Sequence, residues 1–307
     1  MSQSKYKILI VDDDEDVHAV TQLSLRGFKH QGKRCEFLAA HSGKEAVDMM
    51  AAHPGVSVVL LDVVMESDHA GLDACRAIRE DLNNQFVRII LRTGQPGSSP
   101  EKETIDTYDI DGYLAKSEMT ANKLYSTIRT ALKAWTELDD LERHRRALAL
   151  IHECSMSVYS FDPVEVALER ILDTASKIAQ SDLTILSLET FDESEVPSSY
   201  ITHRAEGETD DGGEVVARLV KNTNHLVSQS ARSEPIFATE GVIFPFALHH
   251  ELGHGWLFIK TPSLDNLQQQ SLSLLCGYAA NALYSTVAQR VLIASKDIED
   301  DFNVMSI

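Results

Sequence analysis

Short apolar runs, each cut off by a polar residue, alternate with amphipathic stretches over the first 120 residues, and this alternation narrows the fold more than any other feature. Tyr6-Lys7-Ile8-Leu9-Ile10-Val11 ends in Asp12-Asp13. Residues 56–61 are nearly all branched or aliphatic and end at Asp62. Residues 89–92 end at Thr93, and Tyr113-Leu114-Ala115 ends at Lys116. Apolar runs of this length predict strands buried on both faces. Residues 35–40 form a further strand. Helices are predicted at residues 17–25, 42–50, 71–80 and 100–108, with another from Thr120; Ser42 caps the second, with Glu45 three residues later. Five strands alternating with five helices predict an α/β domain with a doubly wound five-stranded parallel sheet.

Ligands of such sheets bind outside the carboxyl ends of the strands, where the strand order reverses. The four polar ends therefore converge on one crevice. Asp12, Asp13 and Asp62 repel one another there and call for a hard divalent cation, for which Mg²⁺ suits an all-oxygen site. With the acids neutralised, Asp62 can attack a phosphoryl group, while the Thr93 hydroxyl and the Lys116 ammonium supply donors for its oxygens. Taken alone, the acids at residues 12–16 could be no more than favourable charges at a helix N-terminus.

IVDDDED, LLDVVM, RIILRTG and GYLAK resemble the motifs of the receiver domain of two-component response regulators, over roughly residues 5–137. The resemblance implies a flavodoxin-like fold, phosphorylation on Asp62, and a histidine kinase or phosphotransfer protein as partner. It implies Mg²⁺ ligation by Asp13, Asp62 and the backbone carbonyl of Val64, with Asp12 acting through a water. It also implies a switch pair, Thr93 and Tyr113, which biases the surface around Pro96 and Tyr113. There are departures. Ser117 replaces the usual proline after Lys116, which makes a cis peptide less favoured. Glu66 replaces a common proline, and Gly71 falls one residue later after Asp62 than is usual. RTGQPGSSPE, YDIDGYLAKSEMT and DVVMES are similar to a narrower subfamily that joins the receiver to a GAF-like domain, often followed by an HD-GYP cyclic-di-GMP phosphodiesterase. An HD pair with a GYP tripeptide does not occur in these 307 residues.

The helix from Thr120 keeps an apolar stripe through Leu124, Ile128, Ala131, Trp135, Leu138, Leu141, Leu148 and Ile151 without Gly or Pro. Glu142, Arg145 and His152 interrupt it. It is expected to be a connector and a weak dimer seam. Beyond it come a helix at residues 163–179 and a strand at 183–188. An acidic loop is expected at 191–214, a helix at 215–229, strands at 242–248 and 256–259, and a long helix at 264–295. This α+β order is similar to a GAF domain. The expected divisions are a receiver at 1–137, a helical connector at 138–160 and a GAF-like domain at 161–307.

Composition bounds the function. Acids outnumber bases 47 to 28, a net charge of -19, which argues against binding nucleic-acid phosphates. Cys35, Cys75, Cys154 and Cys276 have neither disulfide nor zinc-cluster spacing, and a reducing compartment is expected. No signal peptide or membrane span is legible, so a cytoplasmic protein is expected. His250-Glu251-Leu252-Gly253-His254 is a literal H-E-x-x-H, which leaves a zinc hydrolase built on His250, Glu251 and His254 as an alternative. Its strand-like flanks and Gly253 favour a hairpin turn, with adventitious metal capture by His249, His250 and His254 as a third reading. The function expected is a phosphorylated regulator, a homodimer acting on an unknown output protein. The alternative is a regulator or remnant of a cyclic-di-GMP phosphodiesterase. No enzyme activity is expected beyond accepting and releasing phosphoryl at Asp62.

Overall fold

The computed structural model describes residues 6–94, 107–118, 120–158, 163–191, 197–205, 212–228, 234–249 and 252–304. The apolar runs become strands β1 (Tyr6–Val11), β4 (Val56–Asp62), β5 (Arg88–Thr93) and β6 (Gly112–Ala115), joined by β3 (Lys33–Ala40). Their neighbour pairings are all parallel. The sheet has six strands rather than five. A two-residue strand, β2 (Lys29–His30), pairs antiparallel with β3 and gives the order β2-β3-β1-β4-β5-β6. Gly32, at φ +79°, makes the tight turn that closes this extra hairpin. A run of only two residues carries no periodicity from which a strand can be read.

Each parallel strand is followed by a helix wherever the chain is described up to the next strand. The helices are α1 (Glu15–Ser24), α2 (Gly43–Ala52) and α3 (Ala70–Arg76), the last running into a π turn at Ala77–Asp81. The Ser42 hydroxyl accepts from the Glu45 N–H at 3.1 Å, as its capping position predicts. The Glu45 carboxylate reaches back to the N–H of His41 at 2.7 Å, one residue further than a capping box requires. The helix expected at 100–108 and the switch-surface residue Pro96 lie outside the described residues, apart from Thr107 and Tyr108. Strand alternation splits the core in two. Leu9, Val11, Val59, Leu61, Ile89 and Leu91 pack under α2 and α3. Ile8, Ile10, Val58, Leu60, Ile90 and Leu114 pack with Leu124, Ile128 and Leu132 of α4 (Ala121–Val158).

Contacts divide the chain into two units, Met1–Leu141 and Glu142–Ile307, with the division inside α4. The second unit is α+β. It contains α5 (Val164–Ala179), β7 (Leu183–Phe191), β8 (Pro197–Ala205), α6 (Gly212–Ser228), β9 (Ile236–Phe237), β10 (Val242–Ala247), β11 (Gly253–Ile259) and α7 (Asn266–Val304). The strands form an antiparallel sheet in the order β8-β7-β11-β10-β9. Leu168, Ile171 and Ala175 of α5 and Leu272, Leu275, Ala279 and Leu283 of α7 share one core. Leu219 of α6 packs in another with Ile185, Ile243, Trp256 and Phe258.

One expectation for this unit is corrected, and one alternative falls away. The acidic loop expected at 191–214 contains β8 and the start of α6. β8 is an edge strand, and an edge strand needs no apolar outer face, so its Ser/Thr/His/Arg content conceals it. The zinc-hydrolase alternative gives way to the hairpin turn that the flanks of the motif favour. His254 lies on β11, opposite Ala247 in the β10–β11 hairpin, with Nε2 3.2 Å from Glu189 Oε2. The zinc motif needs both histidines on one face of a helix. His250 and Glu251 lie outside the described residues. Among the described residues, no helix is long and apolar enough to cross a membrane.

Candidate functional site

Strand register decides which polar side chains meet. Val11 stands opposite Leu61, Leu61 opposite Leu91, Asp62 opposite Arg92, and Arg92 opposite Leu114. Successive side chains on a strand alternate between faces. Asp12, Asp62, Arg92 and Lys116 therefore follow the even-numbered apolar residues onto the same face, at the carboxyl ends of β1, β4, β5 and β6.

Asp12, Asp13 and Asp62 each bring a carboxylate oxygen within 4.8 Å of the others. Lys116 Nζ lies 2.9 Å from Asp62 Oδ2 and 3.1 Å from Asp12 Oδ2. Asp12 and Asp62 are buried, whereas Asp13 is exposed. Burial raises the Asp62 carboxyl above the ordinary carboxylate range, and the Lys116 ammonium only partly opposes it. Burial also pulls on Lys116, but its bonds to Asp62 and Asp12 outweigh that and hold its ammonium above the usual lysine value. The backbone carbonyl of Asp12 meets His18 Nε2 at 2.8 Å, and the Asp14 side chain caps α1 by accepting from the Asp16 N–H at 2.9 Å. The acidic run thus combines site residues with ordinary helix-capping acids.

The two departures in the loop after β4 have physical explanations. Both Glu66 carboxylate oxygens accept from the N–H of Gly43, at 2.9 and 3.2 Å, so the loop is tied to the N-terminus of α2, where a negative charge is favoured. Gly71 lies directly against the end of β4. A Cβ there would fall 1.9 Å from the Asp62 carbonyl oxygen, and its N–H donates to the Val63 carbonyl at 3.1 Å. The longer loop still delivers a glycine where α3 must touch the strand.

Thr93 is buried at the end of β5, one residue beyond Arg92. Tyr113 stands opposite Leu91 and Ala115 opposite Thr93, which places Tyr113 and Thr93 on one face, one strand step apart. Val64 is exposed, two residues past Asp62. Arg92 is the site residue that motif reading misses. It is completely buried, with Nη2 3.2 Å from Asp12 Oδ2 and 3.4 Å from the Val11 carbonyl, and Nη1 3.2 Å from Thr21 Oγ1. A guanidinium within an otherwise apolar strand, on the face of Ile90, is the sequence signal that could have found it. Three carboxylates without sulfur or imidazole suit a hard divalent cation, so the residues present fit an Mg²⁺ site.

Residues 8–129 match the response regulator receiver domain family, and residues 128–289 match a domain of unknown function, DUF3369. The 3′3′-cGAMP-specific phosphodiesterase 2 of Vibrio cholerae serotype O1 is 43% identical over 157 residues, covering 51% of this chain and 30% of that protein. This chain therefore spans under a third of the length of that curated relative. Among solved structures, the signal receiver domain of an HD domain-containing protein from Pseudomonas fluorescens Pf-5 is 22% identical, with a TM-score of 0.37. It covers 44% of this chain and 99% of that one. An adenylate cyclase structure from Rhodopirellula baltica is 19% identical, with a TM-score of 0.39, covering 45% of this chain and 96% of that one. The phosphodiesterase match corrects the expectation that the chain is no enzyme. That expectation came from finding no HD pair with a GYP tripeptide in these residues, and the relative that aligns over 51% of this chain is a phosphodiesterase.

Proposed function

We propose a function on this premise: the chain belongs to the DUF3369 family, and a response regulator receiver domain occupies residues 8–129 ahead of it. The function is phosphorylation-controlled signalling, with Asp62 as phosphoacceptor and a histidine kinase or phosphotransfer protein as donor. The observation that carries it is the contact of Lys116 Nζ with the buried Asp62 carboxylate, beside Asp12 and Asp13. A carboxylate oxygen of Asp62 attacks phosphorus. The bond from phosphorus to the donor's nitrogen or oxygen breaks, and the leaving group keeps the electron pair and takes a proton from solvent. Lys116 is placed to move from the carboxylate to the incoming phosphoryl oxygen, and the Thr93 hydroxyl to donate to a second one. Mg²⁺, held by Asp13, Asp62 and the Val64 carbonyl with Asp12 acting through a water, would supply positive charge against the phosphoryl oxygens. Thr93, drawn to the new phosphoryl group, vacates space into which the ring of Tyr113 turns. The added charge is thereby converted into a change of surface.

Incubation with acetyl phosphate or phosphoramidate and Mg²⁺ tests this reading by intact mass. One phosphoryl increment is expected, absent in Asp62→Asn; an increment that persists in that variant rules Asp62 out as the acceptor.

The second unit is read as GAF-like, on its order of helix, antiparallel strands and closing helix, and as the route of output through a partner or a rearranged dimer. The identity to a 3′3′-cGAMP phosphodiesterase favours a further reading, in which the phosphoryl state controls cleavage of a cyclic dinucleotide. Hydrolysis of 3′3′-cGAMP and cyclic di-GMP, measured with and without fluoroberyllate, decides it. Turnover that changes with fluoroberyllate supports control by the receiver, and turnover of neither substrate in either state removes catalysis by this chain.

A further inference from the structure

A fully buried arginine is an expensive core residue unless its charge is used. Arg92 lies on β5, between Asp62 of β4 and Leu114 of β6 in the sheet register. It has no exposure, and its Nε has no hydrogen-bond partner among the described residues. Replacing a buried ion pair by apolar side chains of similar volume is often neutral or stabilising, so packing alone gives no reason for a guanidinium here. Its contacts do. The Asp12 Oδ2 atom receives both Arg92 Nη2 at 3.2 Å and Lys116 Nζ at 3.1 Å, while Asp12 Oδ1 accepts from the Asp14 N–H at 3.1 Å. Both oxygens of this carboxylate are therefore engaged by the chain itself. Thr21 Oγ1 and the Val11 carbonyl anchor the far side of the guanidinium.

We propose that Arg92 is a resident cation of the acidic cluster, which holds Asp12 in place without a divalent ion and keeps the cluster's affinity for Mg²⁺ low. The inference rests on the reading of Asp12, Asp13 and Asp62 as a Mg²⁺ site. Three carboxylates face two fixed cations, Arg92 and Lys116, which leaves the cluster one positive charge short. Without Arg92 it would be two short, the charge a divalent ion brings. Affinity of oxygen sites for such ions follows the net ligand charge, and a buried positive charge beside one ligand opposes the ion over a short, poorly screened distance. Arg92 acts through Asp12 and is a positioning residue.

Titration calorimetry with MgCl₂ on the full chain, together with thermal melts with and without Mg²⁺, tests the inference. Arg92→Met is expected to bind Mg²⁺ about tenfold more tightly than wild type, and to show a larger Mg²⁺-induced rise in Tm. Arg92→Lys keeps the charge and is expected to stay near wild type in both readouts. If Arg92→Met folds only when Mg²⁺ is present, the ion is replacing the guanidinium and the inference is supported. If it stays unfolded at saturating Mg²⁺, Arg92 serves the fold alone and the inference is overturned. Equal or weaker Mg²⁺ binding by Arg92→Met than by wild type also overturns it. No Mg²⁺ binding by the wild type itself is a separate result, which removes the Mg²⁺ reading of the cluster.

Discussion

On the proposed reading, Asp62 has to stay ionised and nucleophilic in a place that disfavours its charge. Its folded pKa lies above its value in the unfolded chain, chiefly through burial. The folded state therefore holds the proton more tightly, and the contribution of this group to stability falls as pH rises from the unfolded value through the folded one. Asp62→Asn removes that charge, so the variant is expected to melt above wild type at neutral pH, with the gap closing as pH is lowered through the same window. Melting curves of both proteins across that range check it; a gap that widens on acidification would show that the Lys116 bond outweighs burial. The cysteines make a contrast. All four are free, and burial pushes Cys75 up to about 11 and Cys276 up to about 12. Neither is expected to react with iodoacetamide at neutral pH in the folded chain, whereas all four should react in denaturant; peptide mapping reads this out. The candidate site side chains were legible in the sequence because each stands at the end of an apolar run. Arg92 was hidden because it stands inside one, one residue before the expected site residue Thr93.

Two short helices are tied to the end of β4 that carries Asp62. α2 begins at a Ser42 cap, and the Glu66 carboxylate reaches the same turn from the loop after β4. Ser42→Ala is expected to cost about 1 kcal/mol in chemical denaturation. α3 starts at the contact of Gly71 with the Asp62 carbonyl. Gly71→Ala forces those backbones apart, and a loss of about 2 kcal/mol or more is expected, together with slower phosphorylation of Asp62 by acetyl phosphate. Unchanged stability would show that the loop yields freely. The sequence marked Gly71 as displaced and Glu66 as unusual, but a one-residue shift has meaning only once the partner backbone is known. β8 shows the same limit: its polar outer face reads as loop until β7 supplies the hydrogen bonds that make it a strand.

At the scale of the molecule, α4 leaves Leu141, Leu148 and Met156 exposed. Leu141 and Leu148 are seven residues apart, the spacing of one helical seam, which is the basis of the proposed homodimer. Light scattering is expected to give a dimer for the wild type and a monomer for Leu148→Glu; equal masses for the two would remove α4 as the seam. The sequence by itself determined the parallel sheet, the place of Asp12, Asp13, Asp62, Thr93 and Lys116 at its carboxyl ends, and the α+β order of the second half. These follow from local periodicity and from where apolar runs stop, and both are properties of neighbouring residues. Tertiary structure alone decided that Arg92 closes on Asp12, that Glu66 latches α2, and that β8 is a strand. Each of these depends on which distant backbone lies alongside, and strand register, not local spacing, sets that.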